Sequence, residues 1–261
     1  MSLRKTLQSA RAEKRSAFIP FVMAGDPDLE TSAEIILALQ EAGAEVLELG
    51  IPFSDPVADG ITVQKAADRA LQSGTTLEKA FELLKTLRSK GLHIPVCLFS
   101  YLNPVFHMGY ENFVKAARAA GVNGALIVDL PPEEAAEYLS AAKNGGLETV
   151  FLCSPTTSPA RLKLIDDAST GFVYYVSREG VTGAQTSLAD SLQQKLGQLR
   201  QSLQSPLAVG FGISTPEHVR ALQGMADGIV VGSALVRVVE EHTNKAAAEI
   251  AKKTRALLGT K

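Results

Sequence analysis

Short apolar runs recur along the chain, and a segment with helical spacing separates each from the next. The runs occupy residues 18–23, 46–49, 96–99, 125–128, 149–153, 172–176, 207–209 and 228–231. Strands this continuously apolar belong in a parallel sheet covered on both faces. Between them, Val63, Ala66, Ala67, Ala70 and Leu71 fall at i, i+3, i+4, i+7 and i+8, and Phe113, Ala116, Ala117 and Ala120 repeat the spacing. That is the stripe of a helix lying on a sheet. Eight strand–helix units within 261 residues match a (β/α)8 barrel in count and length. The competitor is a doubly wound open sheet, but no Gly-x-Gly-x-x-Gly follows the first strand. No linker or composition shift marks a second domain. Residues 1–261 therefore read as one α/β domain, a (β/α)8 TIM barrel, with an extra N-terminal helix over residues 3–14 capping the barrel floor.

This fold places chemistry on the loops after the C-terminal strand ends. Those ends here are small or polar: Gly25, Gly50, Ser100, Asp129, Ser154, Ser177, Gly212 and Gly232. One strand is interrupted by a charge, Glu48 in Val46-Leu-Glu-Leu49, and a stiff loop follows with two more acids, Asp55 and Asp59. A buried carboxylate is costly unless it is paired or takes up a proton. One acid on a rigid strand and another on the next loop could divide acid and base work. The alternatives are a structural ion pair for Glu48 and turn capping for Asp55 and Asp59. Tyr174 reads either as core packing or as a hydroxyl offered to Glu48. Phe21 and Phe211 read as core-facing and as walls for a flat substrate.

The loop from Ser177 to about Leu188 contains Arg178-Glu-Gly-Val-Thr-Gly183 and reads as a lid over the active face. Gly-rich turns follow strands seven and eight, Gly210-Phe-Gly212 and Val231-Gly232-Ser233. Gly183, Gly212, Gly232 and Ser233 could converge on one phosphate through backbone amides at a helix start. Neither of the last two turns contains Lys or Arg, so recognition there would rest on amides, a hydroxyl and the helix dipole.

Composition narrows the chemistry further. Hydrophobic residues make up 46% and charged ones 21%, with a net charge of -2, which suggests neither nucleic acid nor an anionic membrane as partner. Cys97 and Cys153 sit in apolar runs and read as reduced core residues. Met1 to Arg15 has no apolar stretch of the secretory kind, so a cytoplasmic protein is expected. No lysine lies within the eight strands, as a Schiff-base aldolase would need. The four histidines, His93, His107, His218 and His242, are scattered rather than clustered as metal ligands. Acid–base chemistry by carboxylates on a phosphorylated substrate is what is left.

Glu48-Leu-Gly-Ile-Pro-Phe-Ser-Asp-Pro-Val-Ala-Asp-Gly60 closely resembles the tryptophan synthase alpha subunits. Ser177-Arg-x-Gly-Val-Thr-Gly183, Gly210-Phe-Gly-Ile-Ser214, Phe18-Ile-Pro-Phe-x-x-Ala-Gly-Asp-Pro27 and Tyr101-x-Asn-Pro104 fit the same family, in order over essentially the whole chain. The resemblance implies a barrel that cleaves indole-3-glycerol phosphate to indole and glyceraldehyde 3-phosphate. It implies no cofactor in this chain; pyridoxal phosphate is expected only in a beta-subunit partner, in an alpha2beta2 complex. By motif position Glu48 and Asp59 match the catalytic acids. Thr182 would position Asp59, Tyr174 would hydrogen-bond near Glu48, Phe21 and Phe211 would flank the indole, and Gly183, Gly212, Gly232 and Ser233 would hold the phosphate. Asp55 then reads as a loop or partner-interface residue. Ile61 stands where many relatives carry proline, and Glu179 adds a negative charge to the lid. A stand-alone lyase, a regulatory partner without activity and another phosphosugar barrel are the competing functions.

Overall fold

The computed structural model describes residues 2–176, 186–210 and 212–260. Its strands are β1 (Ala17–Met23), β2 (Leu47–Gly50), β3 (Val96–Ser100), β4 (Gly124–Ile127), β5 (Glu148–Cys153), β6 (Phe172–Val176), β7 (Leu207–Gly210) and β8 (Gly228–Val231). They are parallel and form a closed barrel in chain order, sealed where residues 17–20 of β1 pair with residues 228–231 of β8. The helices are α1 (Leu3–Ala12), α2 (Leu29–Glu41), α3 (Ile61–Gln72), α4 (Leu77–Ser89), α5 (Leu102–Met108) and α6 (Tyr110–Ala119). Then come α7 (Ala136–Gly145), α8 (Pro159–Ala168), α9 (Thr186–Ser202), α10 (Pro216–Leu222), α11 (Ser233–Glu241) and α12 (Ala246–Leu258).

Side chains alternate across each strand, so one set points into the barrel and the other toward the helices. Ile19, Cys97, Leu126, Val150, Phe172, Ala208 and Val230 fill the inside. Phe18, Leu47, Leu98, Val173 and Ile229 join the layer beneath the helices. Burial on both faces explains why the strands read as unbroken apolar runs. The expected boundaries hold within a residue or two: Val46 and Val128 lie just outside β2 and β4, and β7 continues to Gly210. On α3, Ala66, Ala67 and Ala70 are buried as the spacing predicts, whereas Leu71 is exposed.

Helix α1 closes the floor. Leu3, Leu7 and Ala10 are buried against the inward-facing residues. Glu148 at the start of β5 accepts hydrogen bonds from Ser2 Oγ (2.8 Å) and from the amides of Leu3 (2.6 Å) and Arg4 (3.1 Å). A carboxylate there satisfies free amides of the first turn and complements the helix dipole. A Cβ at Gly228 would lie 2.8 Å from Ile19 Cδ1 and 3.2 Å from Leu7 Cδ2, so glycine leaves room for the plug. The helix stops at Ala12, short of the expected residue 14, because Lys14 adopts φ +58°. With the floor filled, the opposite end is left to hold a ligand.

Candidate active site

The C-terminal strand ends enclose a cavity of about 780 Å³, within the range of small-molecule sites. Glu48, Asp59, Phe21, Tyr174, Gly212, Gly232 and Ser233 all line it. Glu48 sits on β2 in register with Phe21 of β1 and Cys97 of β3, and is 2% exposed. Its Oε1 has no hydrogen-bond partner among the described residues. Among the described residues no ion pair holds this carboxyl in the barrel. Burial, reinforced by the nearby charge of Asp59, raises its pKa to about 8, so Glu48 carries a proton at neutral pH.

Asp59 lies on the loop between β2 and α3, half-buried at the cavity wall. Tyr101, 2% exposed, donates its hydroxyl to Asp59 Oδ2 at 3.1 Å and accepts the Ala58 amide at 3.0 Å. Its ring stacks on Phe53 with centroids 5.2 Å apart. Burial lifts the Asp59 pKa to about 6, while the Tyr101 hydrogen bond opposes the rise. Asp59 is thus ionised when Glu48 is protonated. Tyr101 carries no functional signal of its own in the sequence beyond its place in the Tyr101-x-Asn-Pro104 motif. Asp55 is exposed, accepts a 2.6 Å hydrogen bond from Ser54 Oγ, and takes the Val57 amide on its carbonyl at 2.9 Å. It shapes the turn and does not line the cavity.

Phe21 meets Phe99 edge to face, with centroids 5.5 Å apart, and both line the cavity as an apolar wall. Gly50 makes room for this wall, since a Cβ there would lie 2.7 Å from Phe21 Cζ. The expected hydrogen bond from Tyr174 to Glu48 is not formed; the Tyr174 hydroxyl lies against Gly210 on the neighbouring strand. Gly232 caps α11 and Ser233 opens it, so the first free amides of that helix face the cavity end where Gly212 turns with φ +69°. Arg237 of α11 and Arg161 of α8 also line the cavity, which the turn sequences alone did not indicate. Thr182, Gly183, Phe211 and Glu179 lie outside the described residues, and so does the expected lid except for residues 186–188, which belong to α9. The arrangement suits proton transfer to and from a flat apolar molecule with an anionic tail.

The sequence profile of tryptophan synthase alpha chains matches residues 7–259. The chain belongs to the tryptophan synthase alpha chain family. It is 48% identical to the alpha chain of Geotalea uraniireducens over 236 residues, covering 90% of this chain and 88% of that protein. Against the alpha chain of Geobacillus thermodenitrificans it is 47% identical over 252 residues, 93% of this chain and 94% of that one. Its fold is similar to a chain from the tryptophan synthase complex of Pyrococcus furiosus, with a TM-score of 0.85, 43% identity, and coverage of 94% and 98%. Among the described residues of this alpha chain, no helix is long and apolar enough to cross a membrane.

Proposed function

We propose that this alpha chain is a carbon–carbon lyase that cleaves indole-3-glycerol phosphate to indole and glyceraldehyde 3-phosphate in tryptophan biosynthesis. The observation that carries the chemistry is a pair of carboxyls in one cavity, with Glu48 titrating at about 8 and Asp59 at about 6. Around neutral pH one is an acid and the other an anion, as two distinct roles require. Glu48 delivers its proton to indole C3, which leaves positive charge on the ring. Asp59 accepts the indole N–H and stabilises that charge. The Glu48 carboxylate then takes the proton of the glycerol C3′ hydroxyl. The C3–C3′ bond breaks, its electron pair returns to the ring, and the aldehyde leaves. Glu48 ends the cycle protonated.

Phe21, Phe99 and Tyr174 line the indole end, while Gly212, Gly232 and Ser233 hold the phosphate. By motif position Phe211 also flanks the indole, Gly183 joins the phosphate contacts and Thr182 positions Asp59. This route uses no cofactor bound to the chain itself. The partner is a beta subunit, which carries pyridoxal phosphate and receives the indole in an alpha2beta2 complex. Exposed apolar side chains fit such a partner: Val57 and Ile61 flank Asp59, and Phe106 follows Tyr101 on α5. Residues 1–261 form one domain in this reading, and the two buried free cysteines agree with a cytoplasmic location.

Indole release from indole-3-glycerol phosphate, measured with and without a beta subunit, tests the proposal. Wild type should release indole faster with the partner, and Glu48→Gln should lose about 10²–10⁴-fold in kcat with ligand binding kept. Wild-type turnover in Glu48→Gln would exclude the acid–base assignment. Fast turnover by the isolated chain would favour a stand-alone lyase.

A further inference from the structure

We propose that Arg237 captures and orients the substrate phosphate, supplying the cation that the amide-lined corner lacks. This rests on the lyase reading above. Arg237 stands one helical turn after Ser233 on α11. Helical side chains lean toward the N-terminus, so a long side chain at this position lies back over the first turn. In keeping with that, Arg237 lines the same cavity as Ser233, Gly232 and Gly212.

Two cations among the described residues line this cavity, and they differ in partnership. Arg161 lies 3.4 Å from Glu133. Arg237 forms no hydrogen bond or ion pair among the described residues. Its acidic neighbours on α11 do not neutralise it. Glu240 turns to Lys65 (3.6 Å) and Arg69 (3.8 Å) on α3. Glu241 borders an adjoining groove together with Arg237 but makes no ion pair with it.

Apart from Arg161, which faces Glu133, the other carboxyl and basic side chains lining the cavity among the described residues are the acids Glu48 and Asp59. A dianionic substrate entering it meets ionised Asp59, so an unpaired guanidinium beside Ser233 supplies the opposite charge where phosphate belongs. Its planar fork also matches two phosphate oxygens, which adds orientation to attraction.

The test is indole release by the full chain as wild type, Arg237→Gln and Arg237→Lys, at several ionic strengths. Arg237→Gln should raise KM for indole-3-glycerol phosphate about tenfold with kcat within about twofold, as expected for one charge-assisted phosphate contact. Competitive inhibition by glycerol 3-phosphate should weaken by a similar factor, while inhibition by indole, which has no phosphate, stays unchanged. Arg237→Lys should restore part of the loss. Wild-type kcat/KM should fall with salt more steeply than that of Arg237→Gln. An unchanged KM, or equal weakening of glycerol 3-phosphate and indole, would overturn the role of Arg237. Absence of indole release by wild type would instead overturn the lyase reading, and calorimetric binding of glycerol 3-phosphate to wild type and Arg237→Gln would still decide whether Arg237 holds an anion.

Discussion

Replacing Glu48 with Gln should make the protein progressively more stable than wild type as pH rises. The buried carboxyl titrates at about 8 in the folded chain against 4.5 for a free glutamate. Between these values the folded state keeps a proton that the unfolded state has released, so wild-type stability falls as pH climbs and levels off above about pH 8. At about 1.36 kcal/mol per tenfold change in proton affinity, the full effect is on the order of 5 kcal/mol. Gln has nearly the same shape and no charge to bury, so the loss disappears in the variant. Near pH 4 it should match wild type or fall about 1 kcal/mol below it, since the amide meets the unpartnered site of Oε1. Urea unfolding of both proteins at about pH 4.5, 7 and 8.5 reads the gap, with m-values compared to check that the transition is the same. A gap that stays constant, or that narrows as pH rises, would refute the buried neutral carboxyl.

Tyr101→Phe removes the hydroxyl that holds down the Asp59 pKa, so the acid limb of the pH–rate profile should move above about 6, with kcat/KM reduced about tenfold. Arg69→Met leaves Asp26, which Arg69 engages at 2.7 and 2.9 Å, buried without its cation. It should cost about 3 kcal/mol in denaturant unfolding, and Asp26→Asn in the same chain should recover part of that. Gly50→Ala drives a methyl to within 2.7 Å of Phe21 Cζ and 3.0 Å of Met23 Sδ. It should lower stability by about 1–3 kcal/mol and raise KM, read by thermal unfolding and indole release.

The barrel was legible because strands buried on both faces leave a continuous apolar record, and the helices between them keep one apolar stripe. Glu48 was legible for the complementary reason: it is the charge that breaks such a run. Asp55 and Asp59 looked alike, both being acids in a Gly/Pro loop. Only the folded loop separates them, turning one to solvent and the other to the cavity wall. Tyr101 was silent because its partner is 42 residues away along the chain and the contact exists only once the loop folds over it. Arg237 was not legible because it lies beyond the turns after β7 and β8, inside α11. Its Cα lies a full helical turn later, and the backward lean of helical side chains returns it to the site. The resemblance put a Tyr174 hydrogen bond near Glu48, and in the fold the Tyr174 hydroxyl lies against Gly210 of the neighbouring strand.

The most direct measurement is kcat/KM for indole release from indole-3-glycerol phosphate across about pH 5 to 9, by the chain with a beta subunit added. The pair of carboxyls predicts a bell, rising as Asp59 ionises at about 6 and falling as Glu48 loses its proton at about 8. Asp59→Asn should erase the acid limb and draw the alkaline limb downward, because the charge that helps raise the Glu48 pKa is gone. A profile flat across this range, or an alkaline limb that ignores Asp59, would contradict the division of labour between the two acids.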